Sequence, residues 1–256
     1  MQSRRPSFSF LNQGSFMAFA HRGASDLSTE NTMKSFSLAY QLGFKNFELD
    51  VQASADGAVF VSHDDNLERI LGERIFLSKL THSEIKRLQS SYGYKIPSLQ
   101  SVLEQFPDAR LNIDAKSWKV VEPLCDVIKS TNCFDRICIG GFNDLRVLNL
   151  IQRLGPSVCY SLGPLGVIYC YIGFMFKKQP KFRAGCIQIP ESWLGFRLIS
   201  KNFIEFVHQI GLMVHVWTVN DESKMRKLIE VGVDGIMTDN CVGLKKVMQE
   251  YNLWEF

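Results

Sequence analysis

Residues 41–63 read "QLGFKNFELDVQASADGAVFVSH". The stretch leaves a helix through Gly43, enters an apolar strand over 46–52, turns at Asp56-Gly57 and returns along a second apolar run, 59–63. Glycine just past a helix end takes the left-handed backbone that closes the last turn. The same punctuation recurs in "QRLGPSVCYS", "QIGLMVHVWT" and "EVGVDGIMTD", where Gly155, Gly211 and Gly232 hold the capping place. Four such joints describe helices feeding strands, the repeating half of a βα unit, and argue for parallel strands joined by helices.

Strand candidates fall at 17–20, 46–52, 59–63, 110–115, 136–140, 157–161, 185–189, 213–218 and 234–238. Only "ASADGA" separates 46–52 from 59–63, which is too short for a parallel crossover and suits an antiparallel hairpin. Setting that run aside leaves eight strands, the number in a closed (β/α)8 TIM barrel, which takes about 250 residues. The chain has 256. Residues 64–97 exceed an ordinary βα loop of about 2–6 residues and read as a small insertion after the second barrel strand. The expected organisation is a mobile tail over 1–14, then one catalytic barrel over 15–256, with 53–97 as hairpin and insertion.

Neighbouring side chains on a strand point to opposite faces. In "NFELDVQ" Phe47, Leu49 and Val51 share one face and Glu48 and Asp50 the other; in "RLNIDAK" Leu111, Ile113 and Ala115 oppose Asn112, Asp114 and Lys116; in "MVHVWT" Val214 and Val216 oppose His215 and Trp217. Apolar residues therefore face the helices and polar ones the barrel interior, which predicts a polar mouth. His21, Asp50, Asp114, Lys116 and Trp217 fall at the carboxyl ends of strands, where such barrels carry their chemistry, and His63 ends the hairpin arm.

Three converging carboxylates, Glu48, Asp50 and Asp114, would repel one another unless compensated. Their oxygens suit a hard divalent cation, Mg²⁺ or Ca²⁺. Arg22 and Lys116 add two positive charges, so with a divalent ion the site carries a formal charge of about +1, suited to a phosphodiester anion. Two histidines with ordinary pKa values of about 6.5 supply a general acid and a general base near neutral pH.

Other classes fall away. Net charge is +3, with 29 basic and 26 acidic residues scattered and no basic stripe, so no nucleic-acid partner is expected. Seven cysteines without CxxC spacing read as buried reduced thiols in a cytoplasmic protein, and the broken run after "MQSRRPSFSF" does not read as a signal peptide. The apolar run Leu165 to Phe176 falls short of the ~20 residues a spanning helix needs and reads as a buried or interface helix, so no stable membrane insertion is expected. His215 reads as a hydrogen-bonded core histidine, and His82 and His208 receive no role. A homo-oligomer is compatible with this composition.

The motifs "AHRG", "ENT", "FELDVQ", "VSHD", "NIDAK", "VHVWTVND" and "GVDGIMTD", spread in order over residues 18–245, resemble the glycerophosphodiester phosphodiesterase family. That resemblance implies a TIM barrel with an insertion after its second strand, acid/base histidines at His21 and His63, metal-binding acids at Glu48, Asp50 and Asp114, and phosphate-contacting bases at Arg22 and Lys116. Trp217 is a candidate substrate wall. Within "ENT", Asn31 is expected to cap the helix that follows and Glu30 to hold the loop under the site. Two departures stand out: Asp114 occupies a position where the family usually has Glu, and Gly141-Phe142 stands where many members read Ser-Phe. The implied reaction is metal-dependent hydrolysis of a glycerophosphodiester to sn-glycerol 3-phosphate and an alcohol. The alternatives are a lysophospholipid phosphodiesterase that receives an acyl chain on 165–176, a phosphatidylinositol-cleaving relative that releases a cyclic phosphate, and a barrel that binds phosphate ligands without catalysis.

Overall fold

A computed structural model of the chain describes residues 8–12, 16–92, 95–193 and 196–254. Its strands are β1 (Met17–His21), β2 (Asn46–Ala53), β3 (Val59–Val61), β4 (Arg110–Ala115), β5 (Ile137–Gly140), β6 (Cys159–Leu162), β7 (Cys186–Pro190), β8 (Ser192–Trp193), β9 (Phe196–Arg197), β10 (Met213–Trp217) and β11 (Gly235–Thr238). Eight of them pair in parallel in the cyclic order β1-β2-β4-β5-β6-β7-β10-β11, and β11 returns to β1 to close the barrel. β3 pairs antiparallel with β2, Val61 opposite Val51, as the short "ASADGA" connection requires. β8 and β9 form a separate antiparallel ribbon that the sequence reading did not anticipate.

Alternation decides what each strand face meets. Phe47, Leu49, Val51, Leu111, Ile113, Ile187, Val214 and Val216 join the main core between barrel and helices. The opposite face divides by height. Its lower half is packed with Met17, Phe19, Cys138, Cys159, Cys186, Met213 and Met237, so the predicted polar interior holds only at the upper, carboxyl end. A third cluster, Phe60, Leu67, Leu77, Ile85 and Ile96, holds the insertion together.

Two expectations, for the helix over 165–176 and for His215, are corrected. Most of the tail expected to be mobile, 1–14, lies outside the described residues; within it Ser9–Leu11 form one 3₁₀ turn whose Phe10 and Leu11 are buried in the lower barrel cluster. The pair stops the barrel floor, and a Cβ added to Gly185 would lie 2.7 Å from Leu11 Cδ1. Two apolar residues among polar ones carry no periodicity, so the sequence gives no sign of that plug. Of the two readings given for 165–176, buried or interface, the buried one does not hold for the helix Pro164–Met175: Leu165, Ile168, Tyr169, Ile172, Met175 and Phe176 are exposed, and within the helix Cys170 and Gly173 face inward. None of the helices described is long and apolar enough to cross a membrane. His215 is fully buried, as expected of a core residue, yet neither ring nitrogen has a hydrogen-bond partner. All seven cysteines are buried and free, in line with reduced thiols.

Candidate active site

The polar stretch after β1 turns the chain back across the mouth. Arg22 and Gly23 both take positive φ, +58° and +83°, and the Arg22 amide donates to the Glu48 carbonyl at 2.9 Å. At Gly23 only glycine fits, since a Cβ there would meet Ser35 Oγ at 2.4 Å. Thr32, not Asn31, caps the next helix, in a capping box with Ser35. Asn31 adopts φ +56° and its Nδ2 donates to Asp50 Oδ2 at 3.0 Å, so the residue expected at the cap holds a candidate site carboxylate instead.

β2 and β4 set the three acids side by side, although their carboxylate oxygens do not all lie within 4.8 Å of one another. Asp50 pairs in register with Asp114, and Glu48 with Asn112. Lys116 Nζ lies between the aspartates, 2.8 Å from Asp50 Oδ1 and 2.7 Å from Asp114 Oδ2. Arg22 Nε stands 3.1 Å from Asp50 Oδ2, which commits both Asp50 oxygens. Glu48 Oε2 and Asp114 Oδ1 are buried without a hydrogen-bond partner. The one lies 3.7 Å from His21 Nε2; the other faces Gly141, where a Cβ would approach it to 3.0 Å.

Electrostatics follow from burial. Burial, and next the Asp50 charge, push the Glu48 carboxyl up to about 8. Burial also raises Asp114, against the opposing pull of Lys116. For Asp50 burial acts upward too, but Lys116 and Arg22 outweigh it and hold the carboxyl below its ordinary value. Burial pulls His21 down, yet the Asp239 hydrogen bond and the Glu48 carboxylate leave it raised.

His63 stands two residues beyond β3, and its Nδ1 pairs with Asp64 Oδ1 at 2.7 Å. Arg69 Nε donates to the other Asp64 oxygen at 2.7 Å, and its Nη2 reaches Glu30 Oε1 at 2.7 Å. Glu30 in turn accepts from Arg22 Nη1 at 3.0 Å, so the insertion is tied to the mouth. His63, Lys116, Gln52, Asp64, Arg69 and Phe76 line one open cleft of about 810 Å³. Across the mouth Trp217 packs edge-on against Phe142, ring centroids 5.4 Å apart, and Lys116 Nζ lies 6.0 Å from the Phe142 centroid. All eight residues singled out in the sequence thus lie at the carboxyl end of the barrel or on the hairpin beside it.

The sequence pattern of the glycerophosphoryl diester phosphodiesterase family matches residues 21–160 and 170–242. The chain belongs to this family. Among curated proteins it is 31% identical to a probable glycerophosphodiester phosphodiesterase of Mycobacterium tuberculosis, over 98% of this chain and 97% of that one. It is 30% identical to a glycerophosphodiester phosphodiesterase of Caldanaerobacter subterraneus, over 88% and 94%. A phosphodiesterase from Oleispira antarctica, solved with its product sn-glycerol 3-phosphate, superposes with a TM-score of 0.73 at 24% identity, covering 91% of this chain and 96% of that one.

Several groups in this member's site escaped the sequence reading. Asp239 accepts from His21 Nδ1 at 2.7 Å and is further bound by Ser25 Oγ at 2.8 Å and Asn220 Nδ2 at 2.8 Å. It lies one residue past β11, whose neighbour in the closed barrel is β1, so barrel closure was the signal that could have found it. Asp64 and Arg69, which hold His63, sit in the insertion, where no strand register points to them.

Proposed function

We propose that the chain hydrolyses a glycerophosphodiester to sn-glycerol 3-phosphate and an alcohol, with His21 and His63 as the acid/base pair. The observation that carries this reading is that each histidine is held by its own carboxylate, Asp239 or Asp64, at a mouth that also gathers Arg22, Lys116 and three buried acids. One histidine accepts the proton of the attacking oxygen, water or the neighbouring glycerol hydroxyl, and the other delivers a proton to the departing alcohol. Arg22 and Lys116 balance charge on the phosphoryl oxygens. Trp217 and Phe142 wall one side of the mouth.

Glu48, Asp50 and Asp114 would hold a divalent cation. Two observations support that fit: the unpartnered buried oxygens on Glu48 and Asp114, and an all-oxygen donor set suited to Mg²⁺ or Ca²⁺. When bound, such an ion supplies Lewis-acid polarisation of a phosphoryl oxygen. Between Asp50 and Asp114 the compensating charge in this structure is Lys116.

The test is release of sn-glycerol 3-phosphate from glycerophosphocholine and glycerophosphoethanolamine, with and without Mg²⁺ or Ca²⁺. His21→Ala and His63→Ala should each lower turnover by about 10²–10⁴ while the circular-dichroism spectrum is kept. Full activity in either variant ends the proposal. Divalent dependence should disappear with the activity in Glu48→Ala.

A second reading, cleavage of lysophospholipids, is favoured by the exposed Phe142, Leu145 and Leu165 around the mouth. Asp144 joins the two segments by accepting from the Leu165 and Gly166 amides. A human lysophospholipase D is 24% identical over 91% of this chain and 86% of that one. Faster turnover of a lysophospholipid than of glycerophosphocholine would displace the first reading.

A further inference from the structure

Below the mouth, the barrel interior holds a second set of ligating groups that the phosphodiesterase chemistry does not use. Cys138, Cys159 and Cys186 come from three neighbouring strands, β5, β6 and β7, with Cys138 opposite Cys159 in register. Their sulfurs all lie within 4.8 Å of one another and all three residues are buried; among the described residues no other trio of His, Cys, Asp or Glu gathers so closely. The remaining cysteines, 125, 133, 170 and 241, lie outside this interior cluster, so a cysteine-rich composition does not by itself account for the three.

His215 enters the same space from β10, the strand beside β7. Its ring packs 5.0 Å from Phe19, is wholly buried, and has two unpartnered nitrogens. A buried polar group without a partner costs about 1–3 kcal/mol, so this imidazole lacks a compensation that a folded core normally supplies. Water is a poor candidate, because it needs several polar partners and the surrounding cluster is Met17, Phe19, Met213 and Met237.

We propose that Cys138, Cys159 and Cys186 form a three-sulfur site for one thiophilic metal ion, Zn²⁺ or an ion of like chemistry, structural in role and separate from the mouth. Zinc–sulfur bonds of about 2.3 Å place sulfurs roughly 3.8 Å apart, compatible with three sulfurs that all lie within 4.8 Å of one another. Binding replaces three S–H protons, released to solvent, with one divalent ion. The buried His215 ring stands beside this set, next to Cys186, and is not one of the three gathered ligands.

The experiment uses the full chain, expressed in zinc-supplemented medium and purified without chelator or polyhistidine tag, with metal content measured by mass spectrometry. In parallel the chain is refolded anaerobically with Co²⁺ as the sole metal. One zinc per chain and a thiolate-to-cobalt charge-transfer band are expected. The band should persist in Glu48→Gln, which alters the mouth, and vanish in Cys159→Ser and Cys186→Ser. A wild-type protein without that band, or a band of full strength in both serine variants, overturns the proposal. The wild-type spectrum decides alone if the serine variants fail to fold. Loss of phosphodiesterase activity on any substrate bears on the mouth and leaves this result readable.

Discussion

Through the 2.7 Å contact between His21 and Asp239, the end of the first barrel strand is joined to the loop beyond the last. Asp239 sits at about 2: burial works against its ionisation, but hydrogen bonds from His21 and Asn220 prevail. The imidazolium of His21 is correspondingly favoured. Asp239→Asn removes that support, so the limb of the pH–rate profile set by His21 should move to lower pH and turnover at neutral pH should fall; an unmoved limb would show that the pair does not tune the histidine. Glu48 behaves oppositely. Its folded value of about 8 lies above the unfolded one, so the unfolded chain releases that proton first and stability is lost as pH rises from about 4.5 towards 8. In chelator, Glu48→Gln should therefore stabilise the protein by on the order of 4 kcal/mol at pH 8 and by little at pH 4.5, as read from urea unfolding. Equal effects at both pH values would refute that account. Residue types at strand ends made His21, Glu48, Asp50, Asp114 and Lys116 legible from sequence. Asp239 was not, because its partner lies 218 positions away.

At the scale of elements, the hairpin and insertion complete the mouth. β3 is short, and His63 extends beyond it, so its position depends on Asp64 and Arg69 more than on strand pairing. Arg69 is half exposed, and exposed ion pairs contribute only about 0–1 kcal/mol. Its use is orientation. Arg69→Ala is expected to lower kcat by about tenfold or more through a misplaced His63, with the urea midpoint nearly unchanged. A change confined to stability would assign Arg69 a structural part only. The insertion was visible in the sequence as a connection too long for a βα loop, but its contact with Glu30 was not, since short polar segments carry no periodic signal. The helix Pro164–Met175 shows the converse limit: its apolar composition suggested burial, yet one stripe faces outward because the barrel needs only the Cys170 and Gly173 side for packing.

Across the whole molecule, a closed barrel has two ends with different tasks. The carboxyl end carries charge and the amino end is stopped by Phe10 and Leu11. Phe10→Ala should cost about 3–5 kcal/mol in urea unfolding and leave KM unaltered, because the plug lies across the packed lower layer from the mouth. A wild-type midpoint in that variant would contradict the plug. The amino-acid sequence by itself determined the eight-strand count, the hairpin, the inward faces of β2, β4 and β10 and the family's motif residues, since strand period, glycine caps and turn chemistry act over a few neighbouring residues. Only the tertiary structure decided that Phe10 seals the floor, that Asp239 holds His21, and that three thiols meet beside an unpartnered His215, because ring closure brings together residues whose separation along the chain leaves no local trace.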